Sequence, residues 1–191
     1  MGFKTTTDPF SIRTRLTLEV PTTGGANDNN LNAITMDTHL DTLNREVLII
    51  HEVDFDVIGS TNLVNNVFSN AAGNPNSAWW AHATVQTGSK VTTIDDVGSL
   101  SDAKSVATII VEPYALNFDS NPDTATFAST GVEQPLAIVA DPDVTLAGFI
   151  QWYSMVAAPG TDQPLAVDVR ILASRARADA DTYAAILTGA F

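Results

Sequence analysis

Residues 45–58, REVLIIHEVDFDVI, decide the fold. Along an extended chain Val47, Ile49, His51, Val53, Phe55 and Val57 fall on one side, and Glu46, Leu48, Ile50, Glu52, Asp54, Asp56 and Ile58 fall on the other. That period of two is the period of a β-strand. The first half is apolar on both sides and the second half has one wet side. The pattern therefore predicts a long strand running from a covered region into an exposed one. Glu52, Asp54 and Asp56 admit two readings. Three carboxylates in a row can attract a cation such as Ca²⁺ or supply acid–base chemistry. A half-exposed strand gives the same alternation with no chemistry, and no glycine-bearing EF-hand loop accompanies it. The solvated face is the preferred reading.

The same period recurs along the chain. IRTRLTLEV (12–20) places Ile12, Thr14, Leu16, Leu18 and Val20 on one side and Arg13, Arg15, Thr17 and Glu19 on the other. Short strands are expected at LNAITM (31–36) and PLAIVA (135–140), and longer ones at AWWAHATVQT (78–87) and AKSVATIIVEPYALNF (103–118), the latter ended or bulged at Pro113. TLAGFIQWYSMVA (145–157) and LAVDVRILASR (165–175), joined by the turn APGTDQP (158–164), read as an antiparallel hairpin. In the second of these, Val167, Val169 and Ile171 oppose Asp168, Arg170 and Leu172.

Loops and turns are expected at PTTGGANDNN (21–30), AAGNPNS (71–77), near Gly88, at VTTIDDVGSLSD (91–102), DSNPDT (119–124), STGVEQ (129–134) and DPD (141–143). STNLVNNVFSN (60–70) is ambiguous between helix and loop. Only the end is helical in pattern. Residues 178–188 place Asp179 and Asp181 at a first turn, put Tyr183, Ile186 and Leu187 on one face, and are followed by Gly189 as a stop. A helix this short needs a surface to dock on.

About eight strands without βαβ alternation predict an all-β fold, an antiparallel eight-stranded sandwich of the single jelly-roll kind with a short C-terminal helix. One domain is expected over 1–191, with an extended N-terminal arm over 1–11 and the helix over 178–188.

Composition narrows the function. The chain has no cysteine, which excludes disulfides, thiolate metal sites and a cysteine nucleophile. No run approaches a membrane span, and the first residues, MGFKTTTDPF, show no signal-peptide core. Lys and Arg total 9 against 22 Asp and Glu, for a net charge of −13. Such a chain repels phosphate backbones, so direct nucleic-acid binding is not expected. It also repels itself unless salt screens it. Abundant Asp with little Lys resembles the composition of proteins from halophilic archaea and their viruses.

No common catalytic motif is present: there is no GxSxG, Walker loop, GxGxxG or HExxH. Of the three histidines, His39 lies between Asp37 and Asp41 in the most ligand-like setting, although its neighbours also read as a polar connection. His51 falls on the apolar side of its strand and reads as a core or interface histidine, and His82 as a packed or hydrogen-bonded one. The acids at 95–97 and 141–143 read first as turn residues and second as Ca²⁺ ligands. Trp79 with Trp80, and Trp152 with Tyr153, place one ring on each face of a strand, giving core on one side and a contact or sugar platform on the other. No catalytic, cofactor-binding or metal-ligating residue is therefore assigned. Structural cations such as Ca²⁺ stay open.

The two long closing strands, TLAGFIQWYSMVA and LAVDVRILASRARADADTYAAIL, together with REVLIIHEVDFDV, resemble a single-jelly-roll major capsid protein of tailless icosahedral viruses with an internal membrane, the sphaerolipovirus-like lineage of halophilic archaea and thermophilic bacteria. That resemblance implies a non-enzymatic virion protein. It implies upright subunits that self-assemble into capsomers with a second capsid protein, above a viral membrane and without direct nucleic-acid contact. The alternatives are a carbohydrate-binding or adhesin-type sandwich, with Trp79 or Trp80 as platform, and a sandwich hydrolase with converging carboxylates.

Overall fold

The computed structural model describes residues 3–18, 29–59, 79–88, 91–99, 101–115, 125–133, 137–152 and 165–188. The expected turns at 71–77, 119–124 and 158–164, the ambiguous segment 60–70, Gly24, Gly25, Tyr153 and Gly189 lie outside these residues. So do the side chains of Trp79, Trp80 and Trp152.

Ten strands are described: β1 (Phe3–Thr5), β2 (Phe10–Leu18), β3 (Asn29–Asp37), β4 (Glu46–Gly59), β5 (Trp79–Thr87), β6 (Ser105–Ala115), β7 (Ala125–Glu133), β8 (Ala137–Val139), β9 (Asp143–Trp152) and β10 (Leu165–Ala178). One helix, α1 (Ala180–Leu187), follows. Among the described residues every strand pairing is antiparallel, and the strands form two five-stranded sheets. Sheet A runs β2–β10–β4–β8, with β1 continuing along the β2 edge of β10, and sheet B runs β3–β9–β5–β6–β7. Setting aside β1 and β7 leaves eight strands. In chain order the first, eighth, third and sixth form one sheet, and the second, seventh, fourth and fifth form the other. That is the strand order of a jelly roll, the predicted fold.

The expected hairpin of the last two strands does not form. β9 lies in sheet B between β3 and β5, and β10 lies in sheet A between β2 and β4. Their lengths and patterns were legible, but the connection carries the chain from one sheet to the other. The turn expected over 129–134 is also absent, because residues up to Glu133 pair with β6 as β7. β6 runs through Pro113 rather than ending there. The last rung between β5 and β6 is Ala81–Val111, so the proline falls where β6 pairs with β7 alone and owes no N–H to β5. The loop expected over 21–30 stops short of Asn29 and Asn30, which belong to β3. Residues 91–99 form a connection with a single 3₁₀ turn over Ile94–Asp96, and Gly88 takes φ +77° at the end of β5.

The core fills the space between the sheets. Leu16 and Leu18 of β2, Leu48, Ile50 and Val53 of β4, and Val167, Val169 and Ile171 of β10 meet Ala83 and Val85 of β5 and Val144, Leu146 and Ile150 of β9. Gly148 has no room for a side chain: a Cβ there would stand 2.7 Å from the His82 carbonyl oxygen on the neighbouring strand and 3.0 Å from Leu16 of the opposite sheet. Arg175 closes one end, with its guanidinium 5.4 Å from the Phe10 ring centre and its Nη2 donating to the Thr38 carbonyl at 2.8 Å.

A β-bulge corrects the reading of β4. Ile50 stands opposite Ala173 and Glu52 opposite Leu172, so His51 is an extra residue with no partner on β10. The extra residue reverses the phase of the alternation. Leu48 and Ile50 point into the core before it, and Val53, Phe55 and Val57 point into the core after it. His51, expected on the apolar side, is exposed. Val47 and Ile49 are on the outer face, which explains why the first half of the strand is apolar on both sides.

That outer apolar end is covered by α1. Tyr183 and Ile186 pack on Val47, Ala140, Ala176 and Ala178, together with Phe3, Ile49 and Ile138. The docking surface thus belongs to this chain. The Asp179 carboxylate caps the helix by accepting from the Thr182 N–H at 2.7 Å. Leu187, expected on the docked face, is 62% exposed. Of the segment expected as an arm over 1–11, Phe3–Thr5 pairs with Ala176–Ala178 of β10 as β1.

Candidate functional site

β2, β10 and β4 run side by side, and their outward residues align in rows. Arg15, Asp168 and Asp56 form one row, Arg13, Arg170 and Asp54 the next, and Ser11, Leu172 and Glu52 the third. The polar residues of three separately amphipathic strands therefore become one charged lattice. Arg15 grips Asp168 through two parallel hydrogen bonds, Nε to Oδ1 at 2.5 Å and Nη2 to Oδ2 at 2.6 Å. Arg170 reaches Asp54 through Nε at 2.6 Å and Nη2 at 2.5 Å, and Glu52 through Nη2 at 3.5 Å. Arg13 and Asp56 are exposed and form no ion pair among the described residues. The six charged residues of the first two rows line a shallow, open depression of about 410 Å³.

Glu52, Asp54 and Asp56 are thus the solvated face of a strand, as preferred from sequence. Their partners, Arg13, Arg15, Asp168 and Arg170, were not singled out as a group. The signal was present: the Arg-x-Arg of β2 and the Asp-x-Arg of β10 alternate on the polar phase of strands that flank the acidic one. Only the strand order was missing.

The electrostatics oppose one catalytic role on this face, that of Asp168 as a general acid. The Arg15 hydrogen bonds hold the Asp168 carboxyl below its usual range, and Asp168 in turn raises the Arg15 guanidinium. A general acid for glycoside cleavage needs a carboxyl pushed the other way.

The other singled-out residues lie apart. His39 is exposed, takes φ +53°, and sits 2.9 Å from one carboxylate, Asp37, through Nδ1. The Asp37 carboxylate also accepts the His39 N–H at 2.7 Å, so the pair is a local turn contact. His51 shares a 2.9 Å hydrogen bond through Nε2 with Ser174, which is buried. His82 is buried on the outer side of sheet B and meets Phe149 edge-on at 5.6 Å. Burial pushes its pKa down. The acids of the two turns do turn work. Asp96 accepts from the N–H groups of Thr92 and Thr93 and from the Thr92 hydroxyl, which lowers its carboxyl to about 2. Asp141 accepts from the Asp143 N–H at 2.9 Å. Among the described residues, no three His, Asp or Glu side chains are grouped to hold a metal ion. The backbone register sets Trp79 opposite Trp152.

Charge is divided unequally between the sheets. The strands of sheet A carry Lys4, Arg13, Arg15, Arg170, Arg175 and Arg177 against Glu46, Glu52, Asp54, Asp56 and Asp168. The strands of sheet B carry Asp37, Glu112, Glu133 and Asp143 and no Lys or Arg. In a chain of net charge −13, sheet A is the face on which opposite charges are balanced.

No protein-family model matches this sequence, and no curated protein matches it. Among solved structures it is similar to the decameric BFDV capsid protein, at 12% identity and a TM-score of 0.34 over 89% of this chain and 100% of that one. It is also similar to the 60-mer BFDV capsid protein, at 11% identity and a TM-score of 0.35 over 89% of this chain and 94% of that one. These values are too low to assign the chain to that group of proteins.

Proposed function

We propose that this chain is a structural subunit of a virus shell, a single-jelly-roll capsid protein that works by assembly. The observation that carries the proposal is the strand order, β2–β10–β4–β8 against β3–β9–β5–β6. Jelly rolls recur in viral capsid and lectin domains. Since a fold hosts many functions, the surface has to choose between them. A lectin offers outward aromatic rings, whereas the open half of the sheet A face offers ion pairs made with their own neighbours. Charge-balanced faces suit protein contact, in which complementary patterns set register and exclude wrong partners.

The finer reading is a halophilic virion. A net charge of −13 opposes close packing of copies until salt or bridging cations screen it. We extend the proposal to capsomers shared with a second capsid protein, above a membrane and without direct nucleic-acid contact. Light scattering coupled to size-exclusion, in roughly molar salt and in dilute buffer, tests it. Ring- or shell-sized species in high salt that dissociate in dilute buffer are expected. A stable monomer in both overturns self-assembly by this chain alone.

A further inference from the structure

The open half of the sheet A face has a polarity of its own. Its β2 side carries Arg13 and Arg15, and its β4 side carries Asp54, Asp56 and Glu52. β10 lies between them, with Asp168 and Arg170 each already neutralised by a neighbour in the same chain. A face that is cationic along one edge and anionic along the other is complementary to itself under one in-plane two-fold only. An axis along the strands lays β2 of each copy over β4 of the other. An axis across the strands lays β2 over β2 and sets like charges together.

We propose that the β2–β10–β4 face is an isologous interface with a second copy of this chain, the two-fold axis running along β10. The rows stay in step under that axis, so Arg15 faces Asp56 of the second copy and Arg13 faces its Asp54. The two charged residues of the first two rows with no ion pair among the described residues, Arg13 and Asp56, then both acquire an oppositely charged neighbour. Asp168 and Arg170 meet their own symmetry mates on the axis. Arg15 and Asp54 neutralise them there, which limits the repulsion. α1 covers the other end of the same face, so the two sheets splay apart there and approach most closely at the lattice. Strand directions of face-packed sheets lie within about 30° of each other, as this axis requires.

The contact does not depend on the capsid reading, and the test separates the two. Sedimentation of the full chain in about 0.5 M salt, where long-range repulsion is screened, should show a concentration-dependent monomer–dimer equilibrium. Arg15→Glu sets Glu against Asp56, and Asp56→Arg sets Arg against Arg15, so each variant alone should dimerise at least about tenfold more weakly. Mixed in equal amounts, the two should recover a one-to-one heterodimer, because one contact then pairs the two substituted positions with opposite charges and the other is the wild-type Arg15–Asp56 contact. That recovery also shows that each variant is folded. A wild-type monomer at every concentration, variants that dimerise as well as the wild type, or a mixture that stays monomeric overturns the proposal. Dimers that obey the charge swap without larger species would keep this interface and remove the capsid reading. Shell-sized species indifferent to the swap would do the reverse.

Discussion

The His51 imidazole and the Ser174 hydroxyl meet at 2.9 Å where β4 carries one residue more than the strand beside it. The extra residue, rather than the hydrogen bond, is what the fold depends on. Deleting His51 would return β4 to strict alternation and turn either Leu48 and Ile50 or Val53, Phe55 and Val57 away from the core. Losing a buried aliphatic side chain costs about 2–5 kcal/mol. Two such losses rival the 5–15 kcal/mol typical of a whole domain. The deletion should abolish cooperative unfolding followed by circular dichroism. His51→Ala, which keeps the bulge and loses one hydrogen bond, should cost only about 1 kcal/mol.

Gly148→Ala places a methyl 2.7 Å from the His82 carbonyl, a backbone atom held between two neighbouring strands. Neither side can yield without parting the sheet. The expected destabilisation is about 2–3 kcal/mol, from overpacking alone. Thermal melts should show Tm lowered by roughly 4–12 °C. An unchanged melt would mean that the sheets are less tightly packed at this point than the distances imply.

Acid should weaken the fold through His82. Burial holds its folded pKa below the ordinary value of 6.5, so the unfolded chain binds the proton more readily. Its contribution is complete above about pH 6.5 and is lost as the pH falls through the lowered folded value. Urea midpoints from pH 8 to 5 should fall for the wild type and flatten for His82→Gln.

Asp96 acts in a lower window. Its carboxyl drops from 3.8 to about 2 because three donors from Thr92 and Thr93 converge on it. The stabilisation is present above the unfolded value and disappears as the pH falls through about 2. Asp96→Asn should remove this part of the acid slope, which a comparison of denaturation midpoints between pH 5 and 2 would reveal.

Asp179→Ala removes the cap that receives the Thr182 N–H. The expected cost is about 1 kcal/mol. Because α1 covers Val47 and Ala176, fraying there should also speed hydrogen exchange at the paired ends of β4 and β10 while the far ends stay protected.

The period-two strands were legible because one face of each is buried, and burial writes itself into composition. Strand order is not local. Nothing in APGTDQP says whether the chain folds back beside β9 or crosses to the opposite sheet, so the hairpin was expected and a crossover was found. STGVEQ has turn-forming residues, yet β6 offers an unpaired edge, and pairing there outweighs local preference. The bulge at His51 was hidden for a related reason: register belongs to two strands, and the alternation along β4 alone does not carry it. The acidic row was recognised as solvated from its own alternation. Its arginine partners needed the neighbours of β4.

The pairing of Ile12 with Ile171 has a consequence in time. Both β2 and β4 depend on β10 for their shared ladder, so sheet A cannot close while a ribosome still holds the stretch that becomes β10. Until then Leu16, Leu18, Val53 and Phe55 have no finished floor beneath them. Such long-range pairing predicts slow folding, in milliseconds to seconds, with unpaired strand edges waiting to be matched. In a crowd of identical nascent chains, the time until β10 emerges sets how many of those edges find the wrong copy first.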